Sequence, residues 1–156
     1  IVYTQGARQS AVVQHVSQDL KISLSYPRGW YVDDRYHSIL LTDYKTNLNR
    51  DDKPAGSQIK IMLSNASLCQ ESLDQEVLLG GCGEGKNTKN QILDKNVKNL
   101  QSGAFIKYKI KYPIGQEDIW YYLQSPNRIL QISKEPDPSQ HEKEFEKIIN
   151  SIKFIQ

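Results

Sequence analysis

Hydrophobic and polar positions trade places along much of this chain with a period of two. Leu20, Ile22, Leu24 and Tyr26 alternate with Lys21, Ser23 and Ser25, the mark of a half-buried strand. That run stops at Pro27-Arg28-Gly29, a turn punctuated by proline and glycine. Residues 38–42 read as a second strand, and Ile59, Ile61 and Leu63 alternate with Gln58, Lys60 and Met62 as a third. Further on, Ala104, Ile106, Tyr108, Ile110 and Tyr112 share one parity, while Phe105, Lys107, Lys109 and Lys111 share the other. Pro113-Ile114-Gly115 and Ser125-Pro126-Asn127 set off two more strands, residues 118–124 and 128–133. Connections this short predict an antiparallel meander.

Two segments change to a helical period. Ser72 with Gln75 forms a capping box that opens a short helix over Leu73–Leu79, stopped by Gly80-Gly81, and Ser67 with Gln70 competes with it. Ser139 with Glu142 opens a second helix with the face Phe145, Ile148, Ile149 and Ile152, and residues 152–155 can close as a short strand. Residues 89–101 are ambiguous, because Leu93, Val97 and Leu100 have helical spacing while Asn90, Asn96 and Asn99 disfavour a helix. Residues 1–18 read as an N-terminal arm or edge strand, and residues 19–156 as a single domain. The order of strands, helix, meander and helix gives an α+β fold, an antiparallel β-sheet flanked by helices. Parallel βαβ repetition is missing, which argues against a dinucleotide-binding fold.

The length of 156 residues leaves room for one domain of ordinary size. Twenty basic residues against 18 acidic ones give a net charge of +2, so nothing global demands a polyanionic partner. Mean hydropathy is −0.61, and no apolar run approaches the roughly 18 residues of a membrane-spanning helix. The chain begins at Ile1, which leads us to expect a segment ahead of it, such as a signal peptide or lipoprotein anchor. Cys69 and Cys82 are an even pair at short spacing with no histidine nearby to complete a metal set. They suggest a disulfide and an oxidising compartment. A helix starting at Ser67 would hold the two cysteines apart, so the disulfide favours the Ser72 cap.

Several motifs approach known chemistry and stop short. Gly80-Gly81-Cys82-Gly83-Glu84-Gly85-Lys86-Asn87 nearly spells a phosphate loop, but asparagine replaces the hydroxyl and a helix precedes it where a buried strand is needed. Asn47, Asn49, Asp51 and Asp52 resemble the oxygen ligands of a calcium loop without its glycine or its closing acid. His15, His37 and His141 have no metal-binding spacing, and no serine sits in a nucleophile elbow. We therefore expect no catalytic residue, no metal and no cofactor. The positive signal is basic: residues 86–112 hold seven lysines and one acid, Asp94, a net of +6. Lys107, Lys109 and Lys111 share one strand face, Lys98 precedes them, and Trp120 and Tyr122 lie on the next strand. Lysines beside aromatic rings suit an anionic polymer, whereas a plain row of lysines also serves to protect a sheet edge.

Two stretches resemble a known family. Tyr26-Pro27-Arg28-Gly29-Trp30-Tyr31-Val32, directly after an alternating strand, is similar to the opening of PsbP-like domains. Phe145-Glu146-Lys147-Ile148-Ile149-Asn150-Ser151-Ile152-Lys153-Phe154 is similar to their closing helix and strand. The resemblance covers roughly residues 20–155 and carries over no functional residue. It implies an α/β/α sandwich around an antiparallel sheet, shared with a Ran-binding nuclear import factor, with Trp30 as a core plug. It also implies a bacterial secreted or lipoprotein-type protein. The expected function is a non-catalytic extracytoplasmic module (secreted, periplasmic or anchored at the surface) that docks a protein partner at the cell envelope. The alternative is a binder of acidic glycan, teichoic-type phosphate or nucleic acid through Lys98, Lys107, Lys109, Lys111, Trp120 and Tyr122.

Overall fold

The computed structural model describes residues 11–45, 56–64, 72–80, 89–135 and 141–155. Cys69 and Cys82, the calcium-like loop, most of the glycine loop and Ser139 lie outside the described residues. The chain runs β1 (Val12–Ser17), β2 (Ile22–Pro27), β3 (Tyr31–Arg35), β4 (Ser38–Thr42) and β5 (Gln58–Leu63). Helix α1 (Leu73–Leu79) follows, then β6 (Gln91–Leu100), β7 (Gly103–Lys111), β8 (Glu117–Ser125) and β9 (Arg128–Glu135), and finally α2 (Glu142–Ser151) and β10 (Lys153–Phe154).

Alternation along the chain becomes two antiparallel sheets. The larger has the order β3-β4-β5-β9-β8-β7-β6, and the smaller has β1-β2-β10. This is the expected α+β fold, with a small second sheet added. One face of the large sheet presents Ile39, Leu41, Ile59, Ile61, Tyr121, Leu123, Leu130 and Ile132. It packs against Leu20, Ile22, Leu24 and Tyr26 near the small sheet and against Phe145, Ile148 and Ile149 of α2. The other face presents Ile106, Tyr108, Ile110, Tyr122 and Ile129 to Leu73 and Val77 of α1. Burial of these apolar faces is the main stabilising term, at about 25 cal/mol per Å².

The ambiguous stretch 89–101 holds strand β6 (Gln91–Leu100), not a helix. Pairing with β7 decides the matter: Val97 faces Ile106, Lys95 faces Tyr108, and Asn96 and Asn99 take ladder positions opposite Lys107 and Ala104. β6 is a sheet edge, and it is guarded by charged side chains and by a register shift between Ile92 and Asp94. The strand at Tyr31–Arg35 has no clear alternation in the sequence and pairs with β4.

The turns carry the backbone strain. Gly29 has φ +93°, the left-handed conformation that the turn after β2 requires, and the Trp30 amide donates to the Pro27 carbonyl at 3.1 Å. The β3–β4 hairpin instead places Tyr36 (φ 53°) and His37 (φ 59°) where asparagine and glycine are the usual choice.

Helix α1 keeps its expected cap, with the Ser72 hydroxyl accepting from the Gln75 amide at 3.3 Å. Helix α2 begins later than expected, at Glu142, with His141 as its N-cap residue and no side-chain cap. Its start is held by tertiary contacts. Lys134, its side chain 4% exposed, pairs with Glu142 at 2.8 Å and lies over the rings of Phe145 and Tyr121. His141 meets Asp43 at 2.9 Å and the edge of the part-buried Trp30 at 5.3 Å. Trp30 thus packs against the core from its border. On β1, His15 meets Asp34 at 2.7 Å and ties the small sheet to β3.

Candidate functional site

Lys107, Lys109 and Lys111 point outward from β7, between the buried Ile106, Tyr108 and Ile110. The strand register fixes what shares their face. On β6, Lys98 stands opposite Phe105, Asn96 opposite Lys107 and Asp94 opposite Lys109. On β8, Tyr121 stands opposite Lys107, Ile119 opposite Lys109 and Glu117 opposite Lys111. Lys98 thus joins the lysine row, whereas Trp120 and Tyr122 do not. They pair with Tyr108 and Ile106, so the period of two sends them to the opposite face. The aromatic neighbours of the lysines are Phe105 and Tyr121, stacked on each other at 5.8 Å.

The row is not uniformly basic. Lys109 pairs with Glu117 at 3.6 Å, both about half exposed. Asp94 stands across from the same lysine. Where the row reaches α2, a groove of about 210 Å³ opens, lined by Asn96, Lys98, Phe105, Lys107, Phe145, Glu146, Ile149 and Asn150. Phe145 and Ile149 are buried, Phe105 is half-buried, and Lys98, Lys107, Glu146 and Asn150 are exposed at the rim. Among the described residues Lys98, Lys107 and Glu146 make no ion pair. The groove therefore has an apolar floor and a rim of both charges. Its sequence signal is Phe105, which heads the lysine row with the same parity. The partner wall comes from α2, about 40 residues later, and no local spacing announces it.

The opposite face holds a polar network with a structural task. Asp74 at the start of α1 accepts from Lys95 at 2.8 Å and from Tyr108 at 2.5 Å. The Lys95 hydrogen bond, then that of Tyr108, lowers the Asp74 carboxyl below its usual range. Burial, then the bond to Asp74, raises the Tyr108 hydroxyl far above its ordinary value. Burial also raises Tyr122, with the Glu76 carboxylate adding to it. Glu76 is itself buried and accepts from the Ser64 hydroxyl at 2.9 Å. These groups lock α1 onto β6 and β7. Trp120 has a separate partner, donating to Asp118 at 3.3 Å.

Of the three scattered histidines, His15 and His141 each meet an aspartate that ties two elements together. Among the described residues no three metal-ligating side chains gather. No helix among them is long and apolar enough to cross a membrane.

No family model matches the chain. No curated protein matches it either. Among solved structures, the solution structure of cyanobacterial PsbP (CyanoP) from Synechocystis sp. PCC 6803 is similar, with a TM-score of 0.51 and 10% identity. The match covers 96% of this chain and 95% of that one. The protein therefore has a PsbP-like fold. A second structure, from Bacteroides thetaiotaomicron VPI-5482, gives a TM-score of 0.41 at 16% identity, covering 94% of this chain and 50% of that one. This chain spans about half the length of that protein.

Proposed function

We propose that this PsbP-like domain is a non-catalytic, extracytoplasmic accessory module that docks a protein partner at the cell envelope. The observation that carries this reading is the groove between α2 and β6–β7, an apolar floor of Phe105, Phe145 and Ile149 rimmed by Lys98, Lys107 and Glu146. Protein interfaces combine a desolvated apolar anchor with a polar rim of complementary charge. A cavity of about 210 Å³ has the size of one large side chain, below the roughly 300 Å³ at which small-molecule pockets begin. The partner segment that fits offers an aromatic or aliphatic anchor flanked by an acid for the lysines and a base for Glu146. The PsbP-like fold supports an accessory role, and the cysteine pair supports the oxidising compartment.

The experiment is site-specific photo-crosslinking in the native organism, with the photoreactive residue replacing Asn150. We expect one dominant protein adduct that disappears when Lys107→Glu is added. An adduct that persists in that variant, or none at all, contradicts the reading.

The four exposed lysines on one face favour a second reading, in which the row takes an acidic glycan, teichoic-type phosphate or nucleic acid. Such a site loses affinity steeply with salt. Glu117, Asp94 and Glu146 on the same surface weigh against it.

A further inference from the structure

At one end of the sandwich the turns β1–β2, β6–β7 and β8–β9 converge with β10 around a cleft of about 900 Å³. It shares no lining residue with the groove. Its floor holds Phe154 and Ile155, and its rim holds Lys21, Ser102, Asn127 and Arg128. No carboxylate lines it among the described residues. We propose that this cleft binds a small organic carboxylate, with the apolar body on Phe154 and the carboxylate between Lys21 and Arg128.

Three observations support the assignment. First, the polar groups converge without being spent on one another. Among the described residues the Lys21 ammonium makes no ion pair, and the Ser102 hydroxyl and Asn127 amide make no hydrogen bond. Second, the guanidinium is fixed in place, because Arg128 donates to the Leu20 carbonyl at 2.5 Å. A planar donor held this way is preorganised for a carboxylate. Third, Lys21 (φ 54°) and Ser102 (φ 73°) both hold left-handed backbone that favours glycine, and both line the cleft. Strain of this kind collects at binding sites. Gly103 completes the floor: a Cβ there would lie 2.6 Å from the Phe154 ring and 2.5 Å from the Gln124 carbonyl, so only glycine lets the ring sit where it does.

The test is a titration of the isotopically labelled protein with benzoate, 4-phenylbutyrate and octanoate, followed by amide chemical shifts. The matched neutral amides and inorganic phosphate serve as controls. We expect saturable shifts centred on Lys21, Ser102, Gly103 and Asn127 for at least one carboxylate, and at least fivefold weaker binding for its amide and for phosphate. Lys21→Gly should raise the melting temperature by releasing the left-handed backbone, and should weaken carboxylate binding at least fivefold. Lys107→Glu should leave it unchanged, which separates this site from the groove. Absence of cleft shifts at millimolar carboxylate overturns the proposal. So does equal binding of amide or phosphate, or unchanged affinity in the Lys21 variant.

Discussion

The two faces of β7 have opposite surroundings. Ile106, Tyr108 and Ile110 are sealed beneath α1, with Tyr108 and Ile110 wholly buried. One residue away on either side, Lys107, Lys109 and Lys111 stand in water. The strand backbone is common to both, so the difference lies in what covers each face. Helix α1 covers the first, with Asp74 and Lys95 fastening it. Helix α2 covers the second only as far as Phe105 and stops, leaving a groove instead of a closed core. A face left half covered, with unpaired charges of both signs at its margin, is the feature on which the proposed docking role rests.

The largest effect should come from the sealed face. Ile110→Ala should cost about 3 kcal/mol, read as a lower urea midpoint, because a fully buried side chain leaves a cavity. A loss below about 1 kcal/mol would mean that α1 does not seal this face.

Tyr108→Phe should cost about 1–2 kcal/mol, since it removes the hydrogen bond to Asp74 at the margin of a buried cluster. It should also change the pH dependence. The folded-state ionisation of Tyr108 is raised, so its contribution is complete below the ordinary tyrosine value of 10.0 and is lost as pH rises above it. The variant should lose stability less steeply above that value, with a residual alkaline loss from Tyr122. Asp74 has the reverse sign: its folded value is lowered from 3.8, so its contribution is present above that value and declines as pH falls below it. Asp74→Asn should shrink that acid-side loss, measured by urea unfolding between neutral and acid pH.

A turn away from β7 gives a gain in place of a loss. Replacing Tyr36 by Asn and His37 by Gly should stabilise the protein by about 1 kcal/mol, because two bulky residues hold left-handed backbone in the β3–β4 hairpin. The smallest effect belongs to the open face, where Lys109→Ala should change stability by less than about 0.5 kcal/mol despite its pair with Glu117. A cost near that of Ile110→Ala would erase the contrast between the faces.

Much of the fold was legible because alternation reports burial directly. Leu20, Ile22, Leu24 and Tyr26, read as one face, are all buried, and residues 38–42 and 58–63 are strands as read. Ser72 named the start of α1 because a cap is a local hydrogen bond. β6 was illegible because an exposed, irregular edge strand has no buried stripe to show. Its identity comes from β7, which covers it with ladder bonds. β3 failed for a similar reason, since Asp33, Asp34 and Arg35 occupy most of an edge strand. At the candidate site, alternation gave the lysine row on β7 correctly, but register alone decides what joins it. Trp120 and Tyr122 therefore fell on the wrong face, and Tyr121 and Ile119 took their place. The groove needed Glu146, Ile149 and Asn150 from a distant helix, a juxtaposition that only the tertiary fold creates.

Opposite charge reversals at the groove test the docking claim most directly, with affinity for the crosslinked partner as the readout. Lys107→Glu and Glu146→Lys should each weaken binding by about tenfold, because a protein surface complements both signs. Tighter binding in Glu146→Lys, with weaker binding in Lys107→Glu, would mean that the face attracts negative charge alone, and the account would be wrong.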